Sequence, residues 1–489
     1  VDQFPLTLDY QAQGRGDLGV DFPRITASAP SGNTFDIQTS IQSGEIAGLI
    51  QLRDQELPEI ALSLSELAAR TADELNRASN SATTAPPPNT LTGAQTGLLA
   101  SDNAAFTGVS NIAVLNGDDT LARQVRLDFD NNQIVTTVSG NPPVVTTAAL
   151  GPGLDVGGLT AAINTALGPD ATATFANGSL ELSATAPDAG VALLEDPNNP
   201  SDRGGRTLGQ TFRLNDLIDS PFPAVFDTGL QGTDVTGFDG DLTFEIFADD
   251  GRSFGTQTIT VAPGDTFNDV LNTLNAVTSP VSSAATFGLD PATGRFTITP
   301  NNPGSGIDVR LIDDTTLFGP GATRAITFDQ LFGGSDGVRG ARAGNFAVRA
   351  DIAGNGDLLP LAQVDLNATD GVAVAVGVAD GRGGIELQQA LTRRTNFDAA
   401  GAFSAGVSSI TEFSSRLAGD VGARSASATS ISEGAASFRA EADFRRQSVE
   451  GVNVDEELAN LIQFQQAFNA SARLLQAAEE LFDTLLAAV

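Results

Sequence analysis

Residues 453–489 read NVDEELANLIQFQQAFNASARLLQAAEELFDTLLAAV and decide the architecture of the C-terminal part of the chain. Apolar side chains recur there at intervals of three and four residues, which is the spacing of one helix face. Residues 448–451 interrupt the preceding helical pattern, and Asn453 followed three residues later by Glu456 is typical of a helix N-terminus. The pattern predicts a long helix whose apolar stripe is Leu461, Phe464, Phe468, Ser471, Leu475, Ala478, Phe482, Leu485 and Val489.

This stripe needs a partner. Each large apolar side chain left in water forgoes about 1.5–3 kcal/mol, and a single helix cannot bury its own stripe. The large members, which we call the C-terminal stripe, are therefore predicted to contact another helix, either of this chain or of a neighbouring subunit. They are Leu461, Phe464, Phe468, Leu475, Phe482 and Leu485.

A heptad pattern precedes this helix. Between residues 403 and 449, two series of positions seven residues apart interleave at four and three, as in a coiled coil. The pattern predicts a long rod helix over residues 405–450, and we call its larger apolar members the rod seam. They are Val407, Ile410, Leu417, Val421, Ile431 and Phe438. An intramolecular bundle and helix-mediated assembly between subunits both fit this pattern.

A second helix is predicted near the N-terminus. Pro58 suits its first turn, and apolar residues then recur at helical spacing as far as Ala78. We expect this stripe to pack in a bundle, with Glu66, Arg70 and Asp73 on other faces. Short strands are predicted before it, at residues 6–10 and 34–37, and the proline-rich residues 79–95 are interpreted as a linker or a domain crossing. The stripe consists of Ile60, Leu64, Leu67, Thr71, Leu75 and Ala78.

The middle of the chain is β-rich and contains two similar stretches. Each has a strand, a short helix, three further strands and a closing apolar segment. The first copy begins at residues 125–129 and the second at 242–247, and the order of elements agrees to residues 218 and 332. Two copies predict two similar α+β domains in tandem.

Composition excludes many kinds of chemistry. The chain has 60 acidic and 26 basic residues, a net charge of -34, and no His, Cys or Lys. It therefore lacks the residues of a Ser-His-Asp triad, a thiolate nucleophile or a Walker phosphate loop. Nucleic acid is an unfavourable partner for such an acidic chain, and no apolar run reaches the ~18 residues of a membrane span. We predict no enzyme, cofactor or bound metal.

Acidic clusters such as Asp118-Asp119, residues 128–132 and Asp249-Asp250 raise the question of calcium. None has the spacing of a calcium-binding EF-hand loop, so we interpret them as turn-forming residues. A glycosidase could work with two carboxylates alone, but aromatic platforms for sugars are nearly missing. The Gly-rich stretch 151–157 lacks the spacing of a phosphate-binding loop and is interpreted as a loop before a helix.

Three C-terminal stretches resemble the C-terminus of flagellar axial proteins: SVEGVNVDEE (448–457), LIQFQQAFNASAR (461–473) and ELFDTLL (480–486). Within that group they are most similar to the family of flagellar hook-associated protein 1, which forms the first junction between hook and filament. A further match, SGEIAGLIQLRD (43–54) with the helix that follows to residue 76, resembles that family's internal helix. The resemblance covers about a third of the chain.

The resemblance implies a secreted structural protein, exported by the flagellar type III system and assembled as a ring with its terminal helices inside. It also implies four kinds of partner: identical subunits, the hook protein, the second hook-associated junction protein, and an export chaperone on the C-terminal helix. The chain has no Met and no counterpart of the family's N-terminal helix. We therefore expect an N-terminal segment to be missing, with its helix a natural partner for the C-terminal stripe.

The predicted fold is α+β and multidomain, with long coiled-coil-like terminal helices and β-rich inserted domains, like flagellins and hook-associated proteins. The predicted domains are 1–80 and 341–450 for the rod, 96–230 and 231–340 for the inserts, and 451–489 for the assembly helix. Two alternatives remain. One is a hook protein or flagellin-like axial protein, and the other is an acidic calcium-binding adhesin or surface-layer protein.

Overall fold

The computed structural model describes residues 7–9, 25–28, 34–36, 38–151, 153–248, 253–319, 325–451 and 453–487. The chain divides into two compact units, Val1–Leu417 and Ala418–Val489. The outer parts of the predicted strands at 6–10 and 34–37, the acidic pair Asp249-Asp250 and the end of the predicted apolar stripe at Val489 lie outside the described residues.

The first unit begins with a small antiparallel sheet and a long helical segment. The sheet has the order β1-β2-β3, with β1 at Thr7–Asp9, β2 at Thr26–Ser28 and β3 at Thr34–Asp36. Helix α1 (Gly44–Gln51) continues through a π-helical turn (Leu52–Glu56) into α2 (Leu57–Asn80). Pro58 lies in the first turn of α2, as predicted.

The face that α2 buries differs from the predicted one. Leu64 is exposed and Leu67 and Leu75 are half-buried, whereas Glu66, Arg70 and Asp73 are buried. The predicted apolar face is therefore confirmed only in part: Ala78 is buried and Leu67 packs against Phe397, Ile410 and Phe413. A buried charge is tolerated when it is paired and hydrogen-bonded, and α2 meets its surroundings through such pairs.

The first β region contains two antiparallel sheets. The five-stranded sheet has the order β11-β5-β6-β7-β8, and the three-stranded sheet has the order β4-β10-β9. Helix α3 starts at an N-cap, where the Asp155 carboxylate accepts from the Gly158 N–H. The elements are β4 (Thr90–Thr92), β5 (Val109–Leu115), β6 (Leu121–Asp128), β7 (Gln133–Val138), β8 (Val144–Ala149), α3 (Val156–Leu167), β9 (Ala171–Ala176), β10 (Ser179–Ala184), β11 (Gly190–Glu195) and α4 (Leu208–Phe212).

The second β region has a sheet of order β14-β13-β17, with β18 on the far end of β13, and a separate hairpin of β15 and β16. The short strand β12 pairs with β19 further along the chain. The elements are β12 (Ile218–Asp219), β13 (Phe238–Ala248), β14 (Ser253–Val261), α5 (Phe267–Leu274), β15 (Ala285–Leu289), β16 (Phe296–Pro300), β17 (Ile307–Asp314), β18 (Leu317–Phe318) and α6 (Phe328–Phe332).

The two β regions share a strand arrangement. In each, the last long strand pairs antiparallel with an early strand: β11 with β5, and β17 with β13. Strand β13 is therefore equivalent to β5, and β14 to β6. The sequence alignment of residues 125–129, in β6, with 242–247, in β13, was shifted by one strand. The first region also carries the extra hairpin of β7 and β8, which has no counterpart between β14 and α5.

The same polar contacts recur in both regions. Asp102 accepts from the Leu99 N–H at 2.7 Å, and Asp234 accepts from the Gln231 N–H at 2.8 Å. The backbone carbonyls of these two aspartates then accept from the first residues of α3 and α5. Thr207 at the start of α4 and Thr327 at the start of α6 each form a reciprocal capping box with the glutamine three residues later. These shared contacts support the predicted repeat, whose domain boundaries stay predictions.

One hydrophobic cluster includes residues of both β regions, from Leu91 to Phe332. A second cluster covers the other face of the five-stranded sheet with residues 362–376. Helices α7 (Asp336–Ala341), α8 (Ala350–Gly354) and α9 (Arg382–Ala390) return the chain toward α2, with strands β19 (Ala347–Val348), β20 (Arg394–Phe397) and β21 (Gly406–Ser409). The chain then forms α10 (Ile410–Glu450) and α11 (Val454–Ala487). Within the described residues, no helix is long and apolar enough to span a bilayer.

Candidate assembly surfaces and the buried charges behind them

Helix α11 presents its apolar side chains to solvent. Its 34 residues give a length of about 51 Å at ~1.5 Å per residue. The Asn453 side-chain oxygen accepts from the Asp455 N–H at 3.1 Å, so the helix begins where the sequence predicted. None of its described residues is buried, and members of the C-terminal stripe range from 54% exposed at Leu461 to 76% at Phe464. The structure thus brings the six predicted residues together on one helix and leaves them uncovered.

The rod seam divides into two parts. Ile410 and Leu417 are buried near the start of α10, whereas Ile431 and Phe438 are exposed and Val421 is half-buried. Val407 is not on the helix, which corrects its assignment to the seam. Its backbone belongs to β21 and pairs with Asn396 of β20, so the helix starts three residues later than Val407.

The heptad pattern missed the residue that anchors α10. Phe413 is buried, and its ring stacks on Phe397 with centroids 4.3 Å apart. Phe397, Ile410 and Phe413 form a small core against which Leu67 of α2 and Phe403 also pack. Phe413 lies three residues after Ile410, so the three-residue helical spacing could have revealed it. This first part of the seam therefore packs within the chain.

A further exposed apolar surface lies on α1, the π-helical turn and the first half of α2. These residues include the stretch 43–54 that was compared with an internal helix of axial proteins. Large apolar side chains point to solvent along it. They are Ile46, Leu49, Leu52, Leu57 and Leu64.

Behind this surface, α2 is held by a network of buried charges. The Glu66 carboxylate bonds the Arg70 Nε at 2.9 Å and the Arg342 Nη2 at 2.7 Å, and accepts from the Asp398 N–H at 2.8 Å. Burial opposes ionisation of Glu66, but the two guanidinium groups outweigh it and lower its pKa to about 2. The network therefore joins α2 to segments 276 and 332 residues later in the chain.

Arg70 extends the network into the second β region. Its guanidinium lies 3.2 Å from the Asp398 carboxylate and 3.7 Å from that of Asp227, and Arg295 pairs with both of these acids. Burial raises the pKa of Asp227, although Arg295 and Arg70 oppose the shift. Sequence patterning gave no signal for the wider cluster, because Arg342, Asp227, Arg295 and Asp398 come from segments far from the Glu66–Arg70 pair of α2.

The C-terminal half of α2 makes similar contacts. Arg206 lies 3.6 Å from Asp73, and Arg393 lies 3.4 Å from Glu74. The Asn80 side-chain amide donates to Asp216 at 2.8 Å. Polar pairs thus fix α2 to both the first β region and the return segment. We interpret α2 as the element that positions the exposed surface of α1 relative to the β regions.

A cleft beside these elements, of about 510 Å³, is lined by Arg213, Arg349, Asp216 and Asp219 among others. Arg213 is already paired with Asp216 at 3.1 Å, and Arg349 with Asp351 at 2.8 Å. The cleft therefore holds cations whose charges are balanced by the protein. It provides no arrangement of nucleophile, base and oxyanion donors.

Two of the acidic clusters form turns as predicted, whereas Asp239-Gly240-Asp241 lies in β13 and Asp313-Asp314 lies in β17, so the turn prediction was wrong for these two. Asp118 accepts from the hydroxyl and N–H of Thr120, and Asp128 accepts from the N–H of Asn131. Across the described ranges, no three acidic side chains gather in a way that could hold a metal ion.

The C-terminal segment is similar to known flagellar proteins. Residues 447–488 match the family model described as flagellar basal body rod FlgEFG protein C-terminal. Flagellar hook-associated protein 1 of Bacillus subtilis is 33% identical over 78 residues, covering 16% of this chain and 15% of that protein. Flagellar hook-associated protein 1 of Escherichia coli is 30% identical over 132 residues, covering 26% of this chain and 23% of that protein.

These alignments therefore span less than a quarter of the relatives' own length. The flagellar hook junction protein FlgK from Burkholderia pseudomallei is a solved structure with 13% identity, covering 89% of this chain and 70% of that one. Its TM-score of 0.14 is too low to carry an argument about the fold. The sequence similarities support a structural role in the flagellum, and the named relatives are structural proteins and not enzymes.

Proposed function

We propose that this chain is a structural protein of the bacterial flagellum that forms the junction between hook and filament by helical self-assembly. The observation that carries the proposal is the exposed C-terminal stripe on α11, which lies within the segment matched by the flagellar rod family model. Both named relatives are called hook-associated protein 1, which favours the junction among flagellar positions.

The stripe has enough apolar surface to drive association. Burying six large apolar side chains at about 1.5–3 kcal/mol each yields roughly 9–18 kcal/mol. Association costs an estimated ~4–15 kcal/mol in lost freedom of motion, so most of the stripe must be buried for a stable contact. The exposed part of the rod seam, around Ile431 and Phe438, adds apolar surface on α10.

In this proposal the chain contacts four kinds of partner. Identical subunits pack through α11, the hook protein lies on one side, and the second hook-associated protein lies on the other. Before export, a chaperone covers the C-terminal stripe. The assembled protein is extracellular, having been exported by the flagellar type III system, and the acidic β regions face water.

A rod or hook protein is the second candidate. The matched family model is named for basal body rod proteins, and its 42 residues do not distinguish rod from junction. The two candidates predict different positions along the flagellum. Immunogold labelling of the chain in isolated hook–basal bodies separates them: label at the distal end of the hook supports the junction, and label along the rod or hook supports the alternative.

The proposal is tested by ending the chain after Gly451 in a strain where it is the only copy. We expect filaments to detach and the truncated chain to be missing from purified hooks. The β regions should keep their thermal unfolding transition, because α11 has no buried residue among those described. Full-length Arg473→Gln, which changes α11 away from the stripe, is the control. Normal filaments from the truncated chain would refute the proposal.

A further inference from the structure

The two β regions differ at one equivalent sheet edge. In the first region, β7 pairs antiparallel along β6 from Asp128↔Gln133 to Arg123↔Val138, and β8 then forms the edge of the sheet. In the second region, β14 is itself the edge, and within the described residues it pairs with β13. Because β14 is equivalent to β6, no strand among the described residues fills in the second region the position that β7 fills in the first.

Both edges are free of charged residues and prolines, and the pairing of β14 is interrupted by a β-bulge near its start, opposite Ile246-Phe247. Strand β8 reads VVTTAA and β14 reads SFGTQTITV, so neither contains a charge or a proline in a chain with 60 acidic residues. All six residues of β8 are exposed, including Val144 and Val145 at 60% and 59%. Proteins commonly protect edge strands with charges, prolines or a covering element. Uncharged edges of this length are suited to pairing with another strand.

We propose that β8 of one subunit pairs with β14 of the next, antiparallel, as β7 pairs with β6 inside the chain. The side chains fit this exchange. Strand β7 contains Ile134-Val135-Thr136-Thr137, and β8 contains Val144-Val145-Thr146-Thr147 in the same order. If β8 pairs with β14, the side chains beside β14 are therefore nearly the same as those that β7 places beside β6.

The proposed pairing joins two different strands of neighbouring subunits. Each subunit has one β8 and one β14, so the contact joins different surfaces and can continue from subunit to subunit around a ring. Pairing of two β8 strands would instead stop at a dimer. The inference rests on the proposed function, because a continuing contact has a role only in a repeating assembly. A six-residue strand is short, so the pairing supplements the C-terminal stripe.

The orientation of the strands defines a test. In β7 the buried Thr136 faces the core and is opposite Thr146, so Thr147 of β8 faces the outer side of the sheet. In β14 the buried Ile259 faces the core, so Thr258 faces the outer side. Cysteines at these outer positions would lie on the same face of a joined sheet. The chain contains no cysteine, so an introduced pair gives an unambiguous disulfide.

The experiment mixes full-length Thr147→Cys chains with Thr256→Cys, Thr258→Cys or Thr260→Cys chains in turn, under mild oxidation. Adjacent members of this series are about 7 Å apart, so the series tests three successive registers of Thr147 along the outer face of β14. The control replaces Thr147→Cys with Thr165→Cys, an exposed threonine on α3. Disulfide-linked dimers are counted on non-reducing gels, and assembly of the same samples is measured by sedimentation.

We expect one pair to give a mixed dimer at roughly tenfold or more above the control, because pairing raises the local thiol concentration. Absence of a mixed dimer from all three pairs overturns the inference, and so does a dimer of Thr147→Cys alone at equal yield. Sedimentation keeps the two proposals apart. Assembly without the mixed disulfide would contradict the strand pairing and leave the proposed function unaffected. The mixed disulfide without assembly would support the strand pairing and contradict the proposed function.

Discussion

The Glu66 carboxylate and the Arg342 guanidinium form a salt bridge of 2.7 Å, with side-chain exposures of 1% and 2%. The Arg342 guanidinium also donates to the Ala224 carbonyl and lies over the Phe226 ring at 4.4 Å. This pair connects α2 to the segment that follows the second β region. A buried ion pair is costly to break, since each partner left alone is an uncompensated buried charge.

We therefore expect Glu66→Gln to destabilise the first unit by about 3–5 kcal/mol, because Arg342 loses its buried counter-charge and Arg70 keeps only Asp398 and Asp227. Urea unfolding followed by circular dichroism measures the change. The matched control is Glu441→Gln, which removes an exposed pair with Arg445 on α10. That variant should stay within about 0.5 kcal/mol of the parent. Equal losses in the two variants would show that the Glu66 network does not hold α2.

Asp102 predicts a pH dependence of stability. Its side chain is buried, one of its oxygens has no hydrogen-bond partner among the described residues, and burial raises its pKa to about 7. The folded state therefore binds more protons than the unfolded state between pH 4 and 7. The stabilising contribution is present at low pH and is lost as pH rises through 7, at up to about 1.4 kcal/mol per pH unit.

Asp102→Asn removes this titration and keeps the acceptor for the Leu99 N–H. The melting temperature of the variant should rise relative to the parent between pH 5 and pH 8. Asp239→Asn, at an exposed position, controls for the loss of one negative charge. A constant difference between Asp102→Asn and the parent across this pH range would contradict the prediction.

The two ends of α10 should respond differently to the same substitution. Phe413 is 1% exposed and packs on Phe397, whereas Phe438 is 80% exposed. Phe413→Ala should cost about 3–5 kcal/mol of stability, because it leaves a cavity in a small core. Phe438→Ala should leave thermal unfolding of the free chain unchanged and weaken assembly. If both variants unfold at the parent's temperature, the division of the rod seam is wrong.

The sequence predicted the helices well because helical spacing survives in exposed segments. The three-four pattern around Phe464 and the N-cap at Asn453 identify α11 without any knowledge of its partners. The same method located α2 but only partly identified its contact face, since Ala78 is buried while Leu64 is exposed and Glu66 is buried. Apolar periodicity indicates a contact face only when the contact is apolar. Two partners of Glu66, Arg342 and Asp398, lie hundreds of residues away, and their convergence depends on the tertiary fold.

The strand repeat shows a second limit. Similar apolar strands made β6 resemble β13 in sequence, but pairing partners showed that β5 is the equivalent strand. Strand order in an antiparallel sheet depends on pairings that composition does not encode. The start of α10 was missed for a related reason, since Val407 fits the heptad but its backbone pairs with Asn396 in a β-ladder.

The central claim is that the C-terminal stripe carries the packing between subunits, and two adjacent residues of α11 test it directly. Leu461 belongs to the stripe and Ile462 lies beside it, with exposures of 54% and 47%. Each is replaced by Asp in a strain where the chain is the only copy, and attached filaments are counted by electron microscopy. Leu461→Asp should abolish attachment, because a charge would be buried in the contact. Ile462→Asp should retain it. Filaments in equal numbers from the two strains would contradict the account.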